Sequence, residues 1–268
     1  MLLQKDVVNL HLLVESATKE EMIVVLNLYF KLPYGQMDHR NASVKELASL
    51  MGRTANSVAM RLNNFASCDP YHISRGIKSL GDHRKQCQPF WDEYINNKEK
   101  LVFESEKILA EYQEVQIEDK YQSILQSMPK GLVGEDRVRE IRTRVNQSFF
   151  RKMVLVNYNN KCALTGIDLP ELLVASHIIP WASNVDERLN PQNGICLSAL
   201  FDKAFDRGLI SFDNDYRVMF SNQIEMHIDD DYYGKYFLPV KDKALCESVK
   251  YLPNIQFLEW HRNNIFIG

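Results

Sequence analysis

The chain has few cysteines and no long hydrophobic segment. Its five cysteines are an odd number scattered along 268 residues, a pattern that argues against a disulfide framework and favours reduced thiols in a cytoplasm. The richest early apolar stretch, 22–26, has five residues, whereas a membrane-spanning helix needs about 20. Asp6 and the absence of a small-residue cleavage site argue against a signal peptide. We therefore expect a cytoplasmic protein without a membrane partner.

Repeats and low-complexity tracts are also missing, which excludes collagen, coiled coil and wholesale disorder. The fractions of hydrophobic residues, 45%, and charged residues, 25%, are those of ordinary globular proteins. A chain of 268 residues has room for two domains of ordinary size.

Charge is nearly balanced overall, with a net value of −3, but it is unevenly distributed. Residues 36–88 carry eight Lys and Arg against four acids, and residues 130–207 carry eleven against nine. Between them, residues 91–120 carry four bases against nine acids. The two basic islands are suited to phosphate binding, but two solvated surfaces explain the counts equally well.

The first third of the chain predicts short amphipathic helices with clear N-terminal signals. Capping boxes at Thr18 and Ser43 begin helices that reach about Lys31 and Gly52. Thr54 caps a third helix over about 55–65. The second and third helices, joined by a tight turn, match a helix-turn-helix.

Polar side chains around that turn are candidates for contact with DNA. They are Arg53 and Thr54 in the turn, and Asn56, Ser57, Met60, Arg61 and Asn64 on the expected outer face of the third helix. Amides, a hydroxyl and a guanidinium suit base edges and phosphates. A helical hairpin that has a polar outer face but does not bind DNA is an equally good interpretation of this segment. Residues 71–88 are a candidate wing, with a surface loop as the alternative.

The middle of the chain predicts a long helix from Pro89 to about Tyr112 and a domain boundary near Pro129. The domains are accordingly predicted as 1–128, helical, and 129–268. A basic helix over about 135–158 begins the second domain.

The second domain predicts a strand, a loop, a return strand and a helix in that order. His177 lies near the end of the first strand, before Pro180, and the loop ends in Asn190-Pro191-Gln192-Asn193-Gly194. The helix after Ser198 carries Asp202 and Asp206, four residues apart and so on one face. Paired carboxylates favour a hard cation such as Mg²⁺ or Mn²⁺. Taken singly, these residues fit an ordinary core histidine and ordinary ion pairs better.

The stretch SHIIPW … RLNPQNGICLSALFDKAFDRGLISF closely resembles the HNH endonuclease family, whose ββα-metal module has this order of elements. The resemblance covers about residues 137–221 well and the C-terminal FLEWHRNNIF loosely. It implies that His177 is the general base, that Asn193 holds the loop, and that Asp202 binds the metal. Asp206 falls where some members carry an additional ligand. Ser176 departs from the family, which often has Asp or His there, and the cysteine pairs that bind structural zinc in some members are absent.

The mechanism implied by the resemblance is metal-assisted hydrolysis of a phosphodiester. His177 would take a proton from water, and a divalent ion at Asp202 and Asp206 would stabilise the charge on the phosphate. Arg188 and Arg207 are candidate phosphate contacts, although ion pairs with Glu187 and Asp206 would compete for them.

The whole sequence thus predicts an α+β protein in which a helix-turn-helix domain, possibly winged, precedes an HNH domain. We expect a restriction or phage-defence endonuclease that binds double-stranded DNA, uses Mg²⁺ or Mn²⁺ without structural zinc, and acts as a homodimer. The main alternative is a sequence-specific DNA-binding regulator whose HNH fold is inactive. A protein that uses its basic surfaces to bind an acidic partner is a third class.

Overall fold

The computed structural model describes residues 17–77, 83–121, 135–246, 248 and 250–268. The chain divides into two compact units, Met1–Tyr29 with Tyr34–Gln122 and Phe30–Pro33 with Ser123–Gly268. The predicted boundary between residues 128 and 129 lies outside the described residues. The fold is α+β, as predicted.

The described part of the first unit is helical. Its helices are α1 (Lys19–Phe30), α2 (Ala42–Leu50), α3 (Ala55–Ala66), α4 (Pro70–Ser74), α5 (His83–Tyr94), α6 (Lys98–Tyr112) and α7 (Ile117–Lys120), with a 3-10 turn at Tyr34–Gln36. The described residues of this unit contain no strand. Within the candidate wing at 71–88, residues 71–74 and 83–88 are helical and residues 75–76 form a turn.

The N-terminal signals of these helices act largely as predicted. The Thr18 N–H donates to Glu21 Oε2 at 3.1 Å and the Glu21 N–H donates back to Thr18 Oγ1 at 3.2 Å, which confirms the capping box. Thr54 caps α3 by accepting from the Ser57 N–H. The cap of α2 is Asn41 rather than Ser43, because its short amide reaches two free N–H groups of the first turn.

α2 and α3 pack together as a helical hairpin. Gly52, at φ +62°, makes the turn between them, in a left-handed conformation that glycine adopts without strain. The apolar sides of both helices are buried, with Val44 and Leu47 on α2 and Leu62 and Phe65 on α3.

The predicted long helix from Pro89 to Tyr112 is wrong. Pro89 lies inside α5, and the chain turns between α5 and α6. Asn97 starts α6 because its side chain accepts from the Lys100 N–H at 3.1 Å.

The second unit contains two small antiparallel sheets and several helices. The helices are α8 (Glu135–Asn157), α9 (Ala199–Asp206), α10 (Asn222–Glu225) and α11 (Ile255–Asn264). The strands are β1 (Leu173–His177), β2 (Gly194–Ser198), β3 (Ile210–Phe212) and β4 (Val218–Phe220). Short 3-10 turns occupy Pro170–Leu172, Pro191–Asn193 and Leu238–Val240, and a π-turn occupies Tyr233–Phe237. The predicted basic helix and the strand–loop–strand–helix order are confirmed.

β1 and β2 pair antiparallel, with His177 opposite Gly194, and both α8 and α9 pack against them. α8 approaches the sheet so closely that a Cβ atom on Gly194 would lie 2.5 Å from Val154 Cγ2 and 2.8 Å from Phe150 Cζ. A side chain at position 194 would collide with α8. Because glycine has none, α8 can pack closely and Phe150 lies beside the end of β1. Among the described residues, no helix is long and apolar enough to cross a membrane.

Candidate active site

His177, the last residue of β1, is held by a hydrogen bond and by two aromatic rings. Its Nε2 lies 3.0 Å from the carbonyl oxygen of Arg188. Its ring stacks on Phe150 with centroids 3.7 Å apart and an interplanar angle of 13°, and Trp181 meets it edge-on at 5.5 Å. A carbonyl oxygen can only accept, so Nε2 carries the proton and Nδ1 of the neutral ring keeps its lone pair.

The surroundings of His177 favour this neutral form. Burial lowers the pKa of the imidazole, and the hydrogen bond to the Arg188 carbonyl opposes that shift only in part. The ring is therefore neutral near pH 7, with one nitrogen able to accept a proton.

Asn193 organises the loop between β1 and β2. Its Oδ1 accepts from the Ile179 N–H at 2.8 Å, and its Nδ2 donates to the carbonyls of Ile179 at 3.1 Å and Glu187 at 3.2 Å. The side chain is buried and uses its amide on the backbone. This arrangement keeps the start and the end of the loop together, and with them the carbonyl that orients His177.

Arg188 is fixed on the other side of the same loop. Its Nε donates to the Trp181 carbonyl at 2.7 Å, and its guanidinium lies 5.2 Å from the centre of the Trp181 ring. Among the described residues, no ion pair joins Arg188 to Glu187, whose Oε2 accepts from Asn190 Nδ2 at 2.6 Å. The position of the guanidinium is thus set by neutral partners, which leaves its charge without a carboxylate.

Asp202 projects from the first turn of α9 and is bound by the residue that departs from the HNH pattern. Ser176 Oγ donates to Asp202 Oδ1 at 2.6 Å. Ser176 is buried on β1, one residue before His177. A serine at this position therefore orients a carboxylate instead of supplying one.

Asp206 lies one turn later, at the C-terminal end of α9, where the helix dipole disfavours negative charge. Partial burial raises the pKa of its carboxyl, and the charge of Asp202 raises it further, while Lys203 and Arg207 lower it. The two carboxylates therefore repel each other, and a cation bound between them would offset that repulsion.

His177 and Asp206 line one pocket of about 390 Å³. The other residues that line it are Pro180, Lys203, Arg207, His261 and Ile265. The predicted residues Asp206, Arg207 and His177 are thus brought together, along with a lysine and a second histidine that the sequence did not single out.

The donor set of α9 fits a hard cation only in part. Among the described residues, no three His, Cys, Asp or Glu side chains come close enough to form a ready metal site. Mg²⁺, however, is commonly held by one or two carboxylates, with water and substrate phosphate completing its shell. Asp206 lines the pocket and Asp202, which does not line it, lies one turn earlier on the same helix, so α9 supplies two carboxylates for such an ion.

His261 is a residue that the sequence analysis missed. It is buried in α11, its Nε2 lies 3.2 Å from the Phe205 carbonyl, and its Nδ1 lies 3.0 Å from Ser211 Oγ. Burial lowers its pKa to about 4. The signal in the sequence was the segment FLEWHRNNIF, which resembles the HNH family only loosely and shows no metal-ligand spacing.

Cys162 also has a structural role that the sequence did not indicate, as an acceptor of backbone hydrogen bonds. The backbone N–H of Ser198, the N-cap of α9, lies 3.1 Å from Cys162 Sγ, and the Thr165 N–H lies 3.4 Å from it. The sulfur thus accepts from the backbone at the start of the helix that carries both aspartates.

In the first unit, three of the predicted DNA contacts form a network with a buried acid instead. Arg53 Nε lies 2.6 Å from Glu21 Oε1, Arg61 Nη2 lies 3.9 Å from Glu21 Oε2, and Arg61 also donates to Ser57 Oγ. The Arg53 and Arg61 side chains are only 16% and 12% exposed. Burial lowers the pKa of Arg61, although Glu21 opposes the shift.

The predicted outer face of α3 is therefore only partly correct. Asn56 and Met60 are exposed, but Asn64 is buried, contrary to prediction. Thr54 is exposed and serves as the helix cap. The helical hairpin presents fewer polar side chains than the periodicity suggested, because Glu21 of α1 draws the guanidinium groups inward.

Comparison with known families identifies the segment that carries the second unit's site. Residues 162–213 match the family model of the HNH endonucleases. The matched HNH segment (residues 162–213) runs through β1, β2, α9 and β3, and it contains His177, Asn193, Asp202 and Asp206. The HNH resemblance is confirmed for this part of the chain, and it suggests a nuclease domain of the HNH type. No curated protein matches the chain.

Proposed function

We propose that the protein is a metal-dependent DNA endonuclease of the restriction or phage-defence type. The observation that carries this proposal is the fixed tautomer of His177. Its Nε2 is bound to the Arg188 carbonyl, so Nδ1 is the nitrogen left to accept a proton, and the ring shares a pocket with Asp206 inside the HNH segment.

His177 acts as the general base. A water molecule in the pocket gives a proton to Nδ1 as its oxygen attacks the phosphorus of a DNA phosphodiester. The stack on Phe150 and the hydrogen bond to Arg188 keep the ring in one plane and one tautomer. Asn193 supports both by holding the loop, so it is a positioning residue.

Asp202 and Asp206 hold the divalent ion, Mg²⁺ or Mn²⁺, and Ser176 keeps the Asp202 carboxylate in one orientation. When bound, the ion offsets the negative charge that develops on the phosphate and on the departing 3′ oxygen. Arg188 and Arg207 bind phosphate oxygens of the DNA strand on either side of the reaction.

The first unit reads DNA through the α2–α3 hairpin. The exposure of Asn56 and of Thr54, the N-cap of α3, supports their assignment as DNA contacts. Because Arg53, Ser57 and Arg61 are engaged with one another or with Glu21, they support the hairpin and contribute to DNA affinity indirectly.

Plasmid cleavage with a His177→Ala variant tests the base assignment. With Mg²⁺, we expect the rate to fall by about 10²-fold to 10⁴-fold, while circular dichroism and DNA affinity match those of the parent. His227→Ala is the matched control, because His227 is an exposed histidine of the same unit that pairs with Asp230 at 2.8 Å. Undiminished cleavage by a folded His177→Ala protein refutes the assignment.

A DNA-binding regulator is the second candidate, and one contact favours it. Ser176 Oγ donates to Asp202 Oδ1, so this oxygen offers one lone pair fewer to a metal ion. On this account the protein binds a specific DNA site tightly yet cleaves nothing with Mg²⁺, Mn²⁺ or Ni²⁺. Cleavage with any of these ions excludes the regulator.

A further inference from the structure

His261 joins two elements that lie far apart in sequence. Its Nε2–H donates to the carbonyl of Phe205, 56 positions earlier in the chain, and its Nδ1 accepts from Ser211 Oγ on β3. The ring also stacks on the Phe205 ring, with centroids 3.8 Å apart and planes within 2°. Both nitrogens are therefore occupied, so His261 is available neither as a base nor as a metal ligand.

The Phe205 carbonyl belongs to the last turn of α9, where it accepts the Gly208 N–H at 2.9 Å in addition to the bond from His261. Phe205 immediately precedes Asp206. A hydrogen bond and a ring stack on Phe205 consequently restrict the backbone from which the Asp206 carboxylate enters the pocket.

Neighbouring contacts of the same segment reinforce this restraint. We call residues 261–267 the C-terminal clasp. The Ile267 N–H donates to the Gly208 carbonyl at 2.9 Å, and Arg262 donates to the Phe212 carbonyl at 2.6 Å. The clasp lies so close to the end of α9 that a Cβ atom on Gly208 would be 2.0 Å from the Ile265 oxygen.

We propose that His261 is a positioning residue that sets the direction of the Asp206 carboxylate through the backbone of Phe205. The inference rests on the proposed function, since it assumes that Asp206 binds the divalent ion. It extends the functional site beyond the HNH segment, which ends at residue 213, to a helix near the end of the chain.

Substitutions of His261 can separate positioning from packing. Gln places an amide N–H about where Nε2 lies and keeps the bond to Phe205. Asn places its amide nearer the Nδ1 position and loses that bond, and Phe keeps the stacked ring but neither hydrogen bond. Ser211→Ala is the matched control, because it removes the other hydrogen bond of His261 and leaves the bond to Phe205 intact.

The experiment is a Mn²⁺ titration of the full chain without DNA, in which electron paramagnetic resonance measures the free ion. We expect His261→Phe and His261→Asn each to weaken Mn²⁺ binding by about tenfold or more. His261→Gln and Ser211→Ala should stay within about threefold of the parent, a difference small beside the tenfold that loss of an outer contact costs. Thermal melting identifies the variants that remain folded, and either disruptive variant is sufficient.

Two results overturn the inference by different routes. Parental Mn²⁺ affinity in a folded His261→Phe or His261→Asn protein, or equal weakening in Ser211→Ala, shows that His261 contributes only to packing. A parent protein that binds no Mn²⁺ removes the metal site of the proposed function, and the role of His261 fails with it.

Discussion

One buried polar residue can determine the position of several side chains that are distant in sequence. Glu21 completes the capping box of α1 and also receives Arg53 and Arg61 from the α2–α3 hairpin. A buried carboxylate with two guanidinium neighbours is stable only as a set, because removing one partner leaves the others desolvated without compensation. Arg53 and Arg61 are predicted DNA contacts, and in this network their side chains are largely but not fully buried.

We therefore expect Glu21→Gln to destabilise the first unit by roughly 3 kcal/mol. The glutamine can still cap α1 through its amide oxygen, so the loss reports the missing charge. Urea denaturation followed by circular dichroism measures the change.

Glu20→Gln is the matched control, because Glu20 is the adjacent acid and is exposed. We expect its effect to stay within about 0.5 kcal/mol, as for surface substitutions in general. Equal stability of the two variants contradicts the idea that the network contributes to folding.

At the scale of elements, the sequence predicted some helix ends correctly and others wrongly. Caps that act within three residues, such as Thr18 and Thr54, were read correctly. The long helix from Pro89 was not, because Asn97 begins a second helix and the apolar periodicity continues across the turn. The end of α9 shows a further influence, since it is shaped by the C-terminal clasp as well as by its own sequence.

The close contact between Gly208 and the Ile265 backbone of the C-terminal clasp leads to a stability prediction for Gly208→Ala. Gly208 has φ +69°, and an added Cβ would collide with the Ile265 backbone. We expect a loss of about 3 kcal/mol or more, from left-handed backbone strain together with overpacking. Thermal or urea unfolding of the purified variant measures it.

Gly166→Ala provides the comparison within the same unit. Gly166 has φ +76° but nothing within 4 Å of the added atom, so only the backbone strain of about 1–2 kcal/mol should be lost. If both variants lose the same stability, the clasp does not press on the end of α9.

At the scale of the whole molecule, each chain carries one His177 and one pair of helix carboxylates. Under the proposed function, a single set of this kind cuts one strand, so two copies, or two successive events, are needed to break a duplex. The homodimer that we predict from this reasoning is open to a kinetic test.

On a supercoiled plasmid with one recognition site, we expect nicked circles to accumulate before linear DNA. The rate of linear-DNA formation per chain should rise roughly in proportion to protein concentration while the monomer predominates, because a second copy must arrive. Gel electrophoresis of a time course at three concentrations measures both. Linear product that appears without a nicked precursor and at a constant rate per chain contradicts the prediction.

The sequence by itself determined the local elements and the HNH segment. Caps, glycine turns and apolar periodicity act over a few residues, and the order of strand, loop, strand and helix around His177 follows from them. Asp202 and Asp206 share a helix face because they are four residues apart.

Only the tertiary structure decided the partners of these residues. Ser176 meets Asp202 across 26 positions, Arg53 meets Glu21 across 32, and His261 meets Phe205 across 56. Such pairs arise when packing brings separate elements together and excludes water, so that each buried polar group must find a partner. A periodic pattern records which side of a helix is apolar, whereas the partner of a polar side chain depends on which element packs against it.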